Sequence, residues 1–265
     1  MGSLAEEGMV SRRFPGAEKE RSDMFKRGFV SMAVVLALSA GSTFADVITQ
    51  WNFEGDVTTP STGSGSASLV GGTTATFATG NPAGRGWNTT TYAAQGTGSG
   101  TRGVEFLVST AGYQDITVSY DHRASGTASR WSELQYTLDG STWNSFGDNG
   151  GLLSPHDTFY AQSFNLSSIA GANNNPDFGI RIVSIFAPVA FDQNASLPDF
   201  AANTAYQRAN AQSGFDPGSG IGTGDYGPAG TWRFDNVTIS GNLVPEPATL
   251  ALLGFSGLFA IRRRR

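Results

Sequence analysis

The chain has 265 residues, 35 of them glycine, only 15% charged, and no cysteine; its formal net charge is −5. Glycine at roughly twice the usual ~7% argues against a helix bundle or coiled coil, because each interior glycine costs a helix about 1 kcal/mol relative to alanine. Aromatic residues at 11% argue against a disordered chain, which lacks the apolar mass for a core. Without cysteine there is no disulfide framework, thiolate metal site or cysteine nucleophile. The two histidines, His122 and His156, are too few for a multi-histidine metal centre.

Residues 1–23 are polar and mixed in charge, and read as an upstream extension that is not native. Residues 24–45 read as a signal peptide. Met24-Phe25-Lys26-Arg27 is a basic start, Gly28 to Ala40 is an apolar run, and Thr43 and Ala45 are the small residues a signal peptidase selects. Cleavage is expected after Ala45.

Residues 46–243 then read as one β-sandwich domain. Short runs of alternating hydrophobicity are separated by Gly, Ser, Asn and Thr, which is the pattern of half-buried strands. Val47, Trp51 and Phe53 share one parity. So do Val104, Phe106 and Val108, then Ile116, Val118 and Tyr120, then Leu134, Tyr136 and Leu138. Asp139-Gly140 is a hairpin turn signal, with Trp143 and Phe146 on the returning strand. Phe164 and Leu166, then Phe178, Ile180 and Ile182, and finally Trp232 to Ile239 complete the set. In the last run the parity slips at Asp235-Asn236, which predicts a β-bulge. Residues 55–101 and 187–230 break the pattern, and Asp199 to Gln212 is expected to form a short helix inside the second.

The C-terminus reads Val244-Pro245-Glu246-Pro247, an apolar run of 14 residues from Ala248 to Ile261, and Arg262, Arg263, Arg264 and Arg265. A helix of that run spans about 21 Å, a short membrane helix whose arginines stay on the cytoplasmic side and leave residues 46–244 outside. Pro245 and Pro247 hold Glu246 in an extended segment open to a processing enzyme. This three-part tail, residues 244–265, resembles the PEP-CTERM sorting signal of Gram-negative bacteria. The resemblance implies cutting at or near Pro245, Glu246 and Pro247 by an exosortase, a membrane-embedded cysteine peptidase. It also implies an N-terminal signal peptide, which the front of the chain shows independently.

Phe164-Asn165-Leu166-Ser167-Ser168-Ile169, Asn173-Asn174-Asn175-Pro176, Arg181-Ile182-Val183 and Gly230 to Val237 resemble extracellular domains that often precede such tails. These are similar to jelly-roll sandwiches related in architecture to carbohydrate-binding modules. The resemblance covers about half of the domain and implies no defined activity.

Residues 46–244 carry seven arginines, no lysine and 16 acidic residues, a balance of −9 (7 − 16) that disfavours nucleic acid as a partner. Two G-x-G-x-x-G matches, at 98–103 and 222–227, run into a strand and into Pro228 rather than a helix, so neither is a dinucleotide site. No G-x-S-x-G or H-E-x-x-H occurs. The strand acids Glu105, Asp115, Asp121 and Glu133 sit singly, with no glycosidase-like pair on one strand. Thr137 to Trp143 resembles the Asp-box hairpin of sialidase-type propellers but is one residue short and occurs once. Many jelly-roll binding modules hold a structural Ca²⁺ between first and last strands, and the matching acids here are Glu54 and Asp235, with Asp56 nearby. No other cofactor is expected. Trp87, Trp131 and Tyr226 are the least strand-like rings and are the candidates for stacking on sugar.

The expectation is therefore an all-β, antiparallel, jelly-roll-like sandwich with an N-terminal signal helix and a short C-terminal membrane helix. Its partners are a signal peptidase, an exosortase-type enzyme and extracellular polysaccharide. The precursor is anchored in the inner membrane and the product reaches the cell surface or beyond. The role is structural or adhesive in an exopolysaccharide matrix and non-catalytic; a carbohydrate-binding module and a polysaccharide hydrolase are the alternatives.

Overall fold

The computed structural model describes residues 45–191, 200–209 and 226–244. The signal helix expected before Ala45, the residues Pro245, Glu246 and Pro247, the apolar run and Arg262 to Arg265 lie outside the described residues. Ala45 is exposed and immediately precedes the first strand. Among the described residues no helix is long and apolar enough to cross a membrane.

Eleven strands are described: β1 (Asp46–Trp51), β2 (Ser66–Val70), β3 (Thr74–Thr79), β4 (Arg85–Thr90), β5 (Gly103–Leu107), β6 (Tyr113–Ala124), β7 (Ser132–Thr137), β8 (Trp143–Asp148), β9 (Phe159–Asn165), β10 (Gly179–Ser184) and β11 (Trp232–Leu243), with a 3-10 turn at Ala170–Ala172. One sheet runs β3-β4-β11-β6-β9, with β1 also on β11; the other runs β2-β5-β10-β7-β8. All pairs are antiparallel. From the β7–β8 hairpin outward they nest: β7 with β8, β6 with β9, β5 with β10, β4 with β11. A long hairpin wound around two sheets in this way is a jelly roll, the double Greek key that packs two antiparallel sheets face to face.

The alternating runs point their large side chains between the sheets. Trp51, Phe53, Phe106, Trp232 and Phe234 are fully buried. Trp51 of one sheet meets Phe106 of the other at 4.9 Å between ring centroids, and Trp87 meets Phe106 at 6.2 Å. Each such ring buries roughly 150–250 Å², worth at most about 4–6 kcal/mol. With no disulfide, this aromatic layer holds the sheets together.

Four sequence expectations change. Val47 is exposed, although it shares parity with the buried Trp51, because the β1–β11 register shifts between Val47 and Thr49. Residues 55–101 contain β2, β3 and β4, whose alternation is carried by Thr, Ala, Ser and Gly and so has little hydrophobic contrast. Over 200–209 there is no helix. Asn203 sits at φ 61, Asn203 N–H goes to Ala187 O and Ala209 N–H to Ala128 O, so backbone donors leave the segment instead of closing helical turns. Finally, Tyr226 is buried and stacks on Tyr206.

Asp139 organises the central hairpin. Its Oδ1 accepts from Thr137 Oγ1, Ser141 N, Ser141 Oγ and Thr142 N, and these donors, the Thr142 amide first, pull its pKa well below the usual carboxylate range. The motif is a turn and needs no ligand.

His122 faces inward from β6 and is fully buried. Its ring stacks on Phe234 at 4.5 Å and meets Trp232 edge-on at 4.7 Å. Neither ring nitrogen has a hydrogen-bond partner. Burial lowers its pKa to about 3. The folded protein therefore keeps His122 neutral while the unfolded chain protonates it near pH 6.5. The stability this residue permits is complete above that pH and is lost as pH falls towards 3. His122→Phe should stabilise the protein relative to the parent by about 1.4 kcal/mol more for each pH unit below roughly 6. Urea unfolding of both proteins between pH 4 and 7 checks this; parallel pH profiles would contradict it.

Candidate functional site

The bulge in β11 is where the sequence placed it. Asp235 pairs with Asp121 and Thr238 with Ser119, so Asn236 and Val237 face a single residue of β6, and Asn236 takes φ 49. The bulge turns Asp235 under the 80–84 loop. Asn81 N–H donates to Asp235 Oδ2 at 2.7 Å, and Asn236 N–H donates to Oδ1 at 2.7 Å. Asn236 Nδ2 donates to Asn81 O at 3.0 Å and to Asp121 Oδ2 at 2.8 Å. Glu54 grips the far end of the same loop, its Oε1 accepting from Arg85 N at 3.0 Å. A Cβ on Gly80 would fall 2.3 Å from Asp235 Oδ2 and one on Gly84 1.8 Å from Glu54 Oε1, so both carboxylates lie directly on glycine backbone.

Glu54 and Asp235 thus come together around one loop, as the sequence suggested, but as clamps. Calcium takes six to eight oxygens. Here each Asp235 oxygen accepts a backbone amide, and Asp56 is paired with the Arg85 guanidinium. No three acidic or histidine side chains gather into a metal site among the described residues. The residues present fit a carboxylate-clamped loop better than a calcium cage.

The rings singled out for sugar stacking are interior. Trp87 and Trp131 are each 4% exposed. Trp87 stacks on Phe53 at 5.7 Å. Trp131 packs with Ala187, Phe191 and Ala205, and its Nε1 donates to Gln207 Oε1 at 2.8 Å. Their polar sequence neighbours suggested exposure; the residues that cover them, Phe53 and Phe106 for Trp87 and Ala187, Phe191 and Ala205 for Trp131, come from distant parts of the chain.

A different ring is presented outward. On β5, β10 and β7 the side chains of Val104, Phe106, Ile180, Ile182 and Leu134 point into the core, so Glu105, Arg181 and Gln135, which face each other across the strands, stand on the outer face. Arg181 Nε and an Nη both reach Glu105 Oε2, at 2.7 and 2.6 Å. The Arg181 guanidinium lies 3.9 Å from the centre of the Trp143 ring on β8. Glu133 accepts from Gln135 Nε2 at 2.8 Å and from Ser145 Oγ. Ion pairing and the cation–π contact fix a half-buried row of guanidinium, carboxylate, amide and indole. Sequence reading put Trp143 on the returning strand and Glu105 among single acids; only the strand register unites them.

Burial, with the charges of Asp121 and Glu54 adding to it, raises the Asp235 pKa to about 6. Its contribution to stability is largest below the unfolded value of 3.8 and declines as pH rises through 6. Asp235→Asn removes one amide acceptor but also this titration. Relative to the parent, the variant should gain on the order of 3 kcal/mol between pH 4 and 7. Equal pH slopes in thermal unfolding would show that Asp235 does not titrate in this range.

Residues 243–265 match the model of the PEP-CTERM protein-sorting motif. No curated protein matches the chain. Among solved structures the chain is similar to the CBM22-1 xylan-binding domain of Paenibacillus barcinonensis Xyn10C, at 10% identity and TM-score 0.39, over 77% of this chain and 100% of that one. It is similar to the family 11 carbohydrate-binding module of Clostridium thermocellum in complex with a β-1,3-1,4-mixed-linked tetrasaccharide, at 11% identity and TM-score 0.39, over 77% and 100%. A cyclase from Fischerella sp. TAU is similar at 10% identity and TM-score 0.33, over 76% and 90%. Scores this low carry no argument about chemistry, and the architecture rests on the chain's own strand pairing. What the comparisons establish is a PEP-CTERM sorting motif that begins at the final residue of the last strand of a jelly roll.

Proposed function

We propose that this is an exported, surface-sorted, non-catalytic protein, cut at its PEP motif by an exosortase-type enzyme and acting as an adhesive component of an exopolysaccharide matrix. The observation that carries the reading is the motif at 243–265 joined directly to a folded sandwich. A sorting tail gives the domain a destination. The domain, with its acids held in an ion pair, a turn and a loop clamp, gives it a stable body. Before processing, the apolar run Ala248 to Ile261 anchors the precursor, with Arg262 to Arg265 on the cytoplasmic side. Signal peptidase acts after Ala45.

Polysaccharide is the partner, and the outer face of the five-stranded sheet is the contact surface we assign to it. Glu105, Arg181 and Gln135 offer hydrogen-bond donors and acceptors in a row, and Trp143 adds an apolar ring beside them. This pairing of fixed polar groups with an aromatic anchor suits a polyhydroxylated chain, which needs many directional bonds and one flat surface.

Two experiments test the reading. Replacing Pro245, Glu246 and Pro247 by alanine should leave a longer, membrane-retained form in cells that carry the processing enzyme; unchanged size and location would refute sorting. On an array of bacterial exopolysaccharides, Trp143→Ala in the processed protein should weaken binding about tenfold or more, with the fold intact by circular dichroism. Full binding by the variant would remove this face from the reading.

A further inference from the structure

The sandwich holds its chain ends at one pole. β1 enters with Asp46 opposite Gly241, and β11 leaves beyond that point. The last positions of β11 are Asn242, opposite Gln114, and Leu243, opposite Tyr113. Val244 N–H still donates to Gly112 O at 2.8 Å. Asn242 Nδ2 adds a bond to Asp115 Oδ2 at 3.2 Å. The next residue is Pro245, which has no N–H and ends the ladder. There is no linker between the folded body and the sorting motif.

A peptidase closes on extended backbone several residues long, on both sides of the bond it cuts. For a cut at or near Pro245 to Pro247, the residues on the N-terminal side are 242–244, and these are committed to β6 and Gly112. Their hold is one-sided, since β1 begins opposite Gly241 and leaves 242 and 243 paired to β6 alone. Leu243 is 58% exposed. From Val244 to Ala248, where the apolar run begins, the chain reaches at most about 14 Å fully extended.

We infer that opening of the last rungs of β11, at Asn242, Leu243 and Val244, gates cleavage of the sorting tail, so that the folded sandwich sets the rate of its own release. The inference rests on the sorting function proposed above. Terminal rungs open far more readily than the core. Where opening and closing are faster than cutting, the cleavage rate follows the population of the open form. A folded domain is then processed slowly, while the core strand pairs stay shut.

The test is a pulse–chase of the full chain in cells that carry the processing enzyme, following conversion of the long form to the short one. Inserting six Gly and Ser residues between Val244 and Pro245 frees the motif from the ladder and should speed conversion about tenfold. Asn242→Ala, which removes the bond to Asp115 and leaves the motif in place, should speed it about twofold to threefold. The linker variant should unfold at the midpoint of the parent, and Asn242→Ala only slightly below it, by no more than the loss of one exposed hydrogen bond explains. Conversion of the linker variant at the parental rate would overturn the gate while leaving sorting intact. Absence of a short form from every version, parent included, would overturn the sorting function and the gate with it.

Discussion

The structure depends on where its last strand sits. β11 lies at the centre of the six-stranded sheet, with β6 along one side and β4 and β1 sharing the other. Trp232, Phe234, Val237 and Ile239 on this strand all enter the core. Until β11 is seated, the inner faces of β4 and β6 have no shared neighbour and the aromatic layer is open to water. Closing the sheet with the most distant segment of the domain is costly in loop entropy, and it makes the fold slow and cooperative. The sandwich is thus complete only when the residues just before the sorting motif are in place.

The inferred gate joins folding to release of the sorting tail. The segment that finishes the core and the segment read by the sorting machinery are contiguous. Unfolded chains offer many extended peptides to a peptidase; a closed jelly roll offers few, and the ones beside the motif are partly locked by β6 and Gly112. The bulge at Asp235-Asn236 serves the same strand. It lets Phe234 and Val237 both face inward, and turns the intervening carboxylate onto the 80–84 loop instead of into the core.

The two faces of the sandwich are used differently. On the six-stranded sheet, the carboxylates of Glu54 and Asp235 are spent on a loop and on glycine backbone. On the five-stranded sheet, Glu105 and Arg181 neutralise each other on the outer face, partly covered beside Trp143. An ion pair that remains partly solvated contributes little to stability. In the proposed function this pair, with Trp143, forms the contact surface for polysaccharide.

The sequence by itself determined the class of fold, the bulge, the central turn and the sorting motif. Each is a local signal: alternation at period two, a one-residue slip in parity, Asp-Gly between two strands, and a run of proline, apolar and arginine residues. It missed β2, β3 and β4, because threonine, alanine and serine alternate without hydrophobic contrast. It misjudged Val47, because a bulge reverses parity, and Trp87, Trp131 and Tyr226, because burial of a ring is decided by what folds over it. Only the tertiary structure decided which charges meet. Glu105 and Arg181 are 76 residues apart, and Asn81 and Asp235 are 154 apart. Pairing at such separations is set by sheet register, a property of the whole closed sandwich that no local stretch of residues encodes.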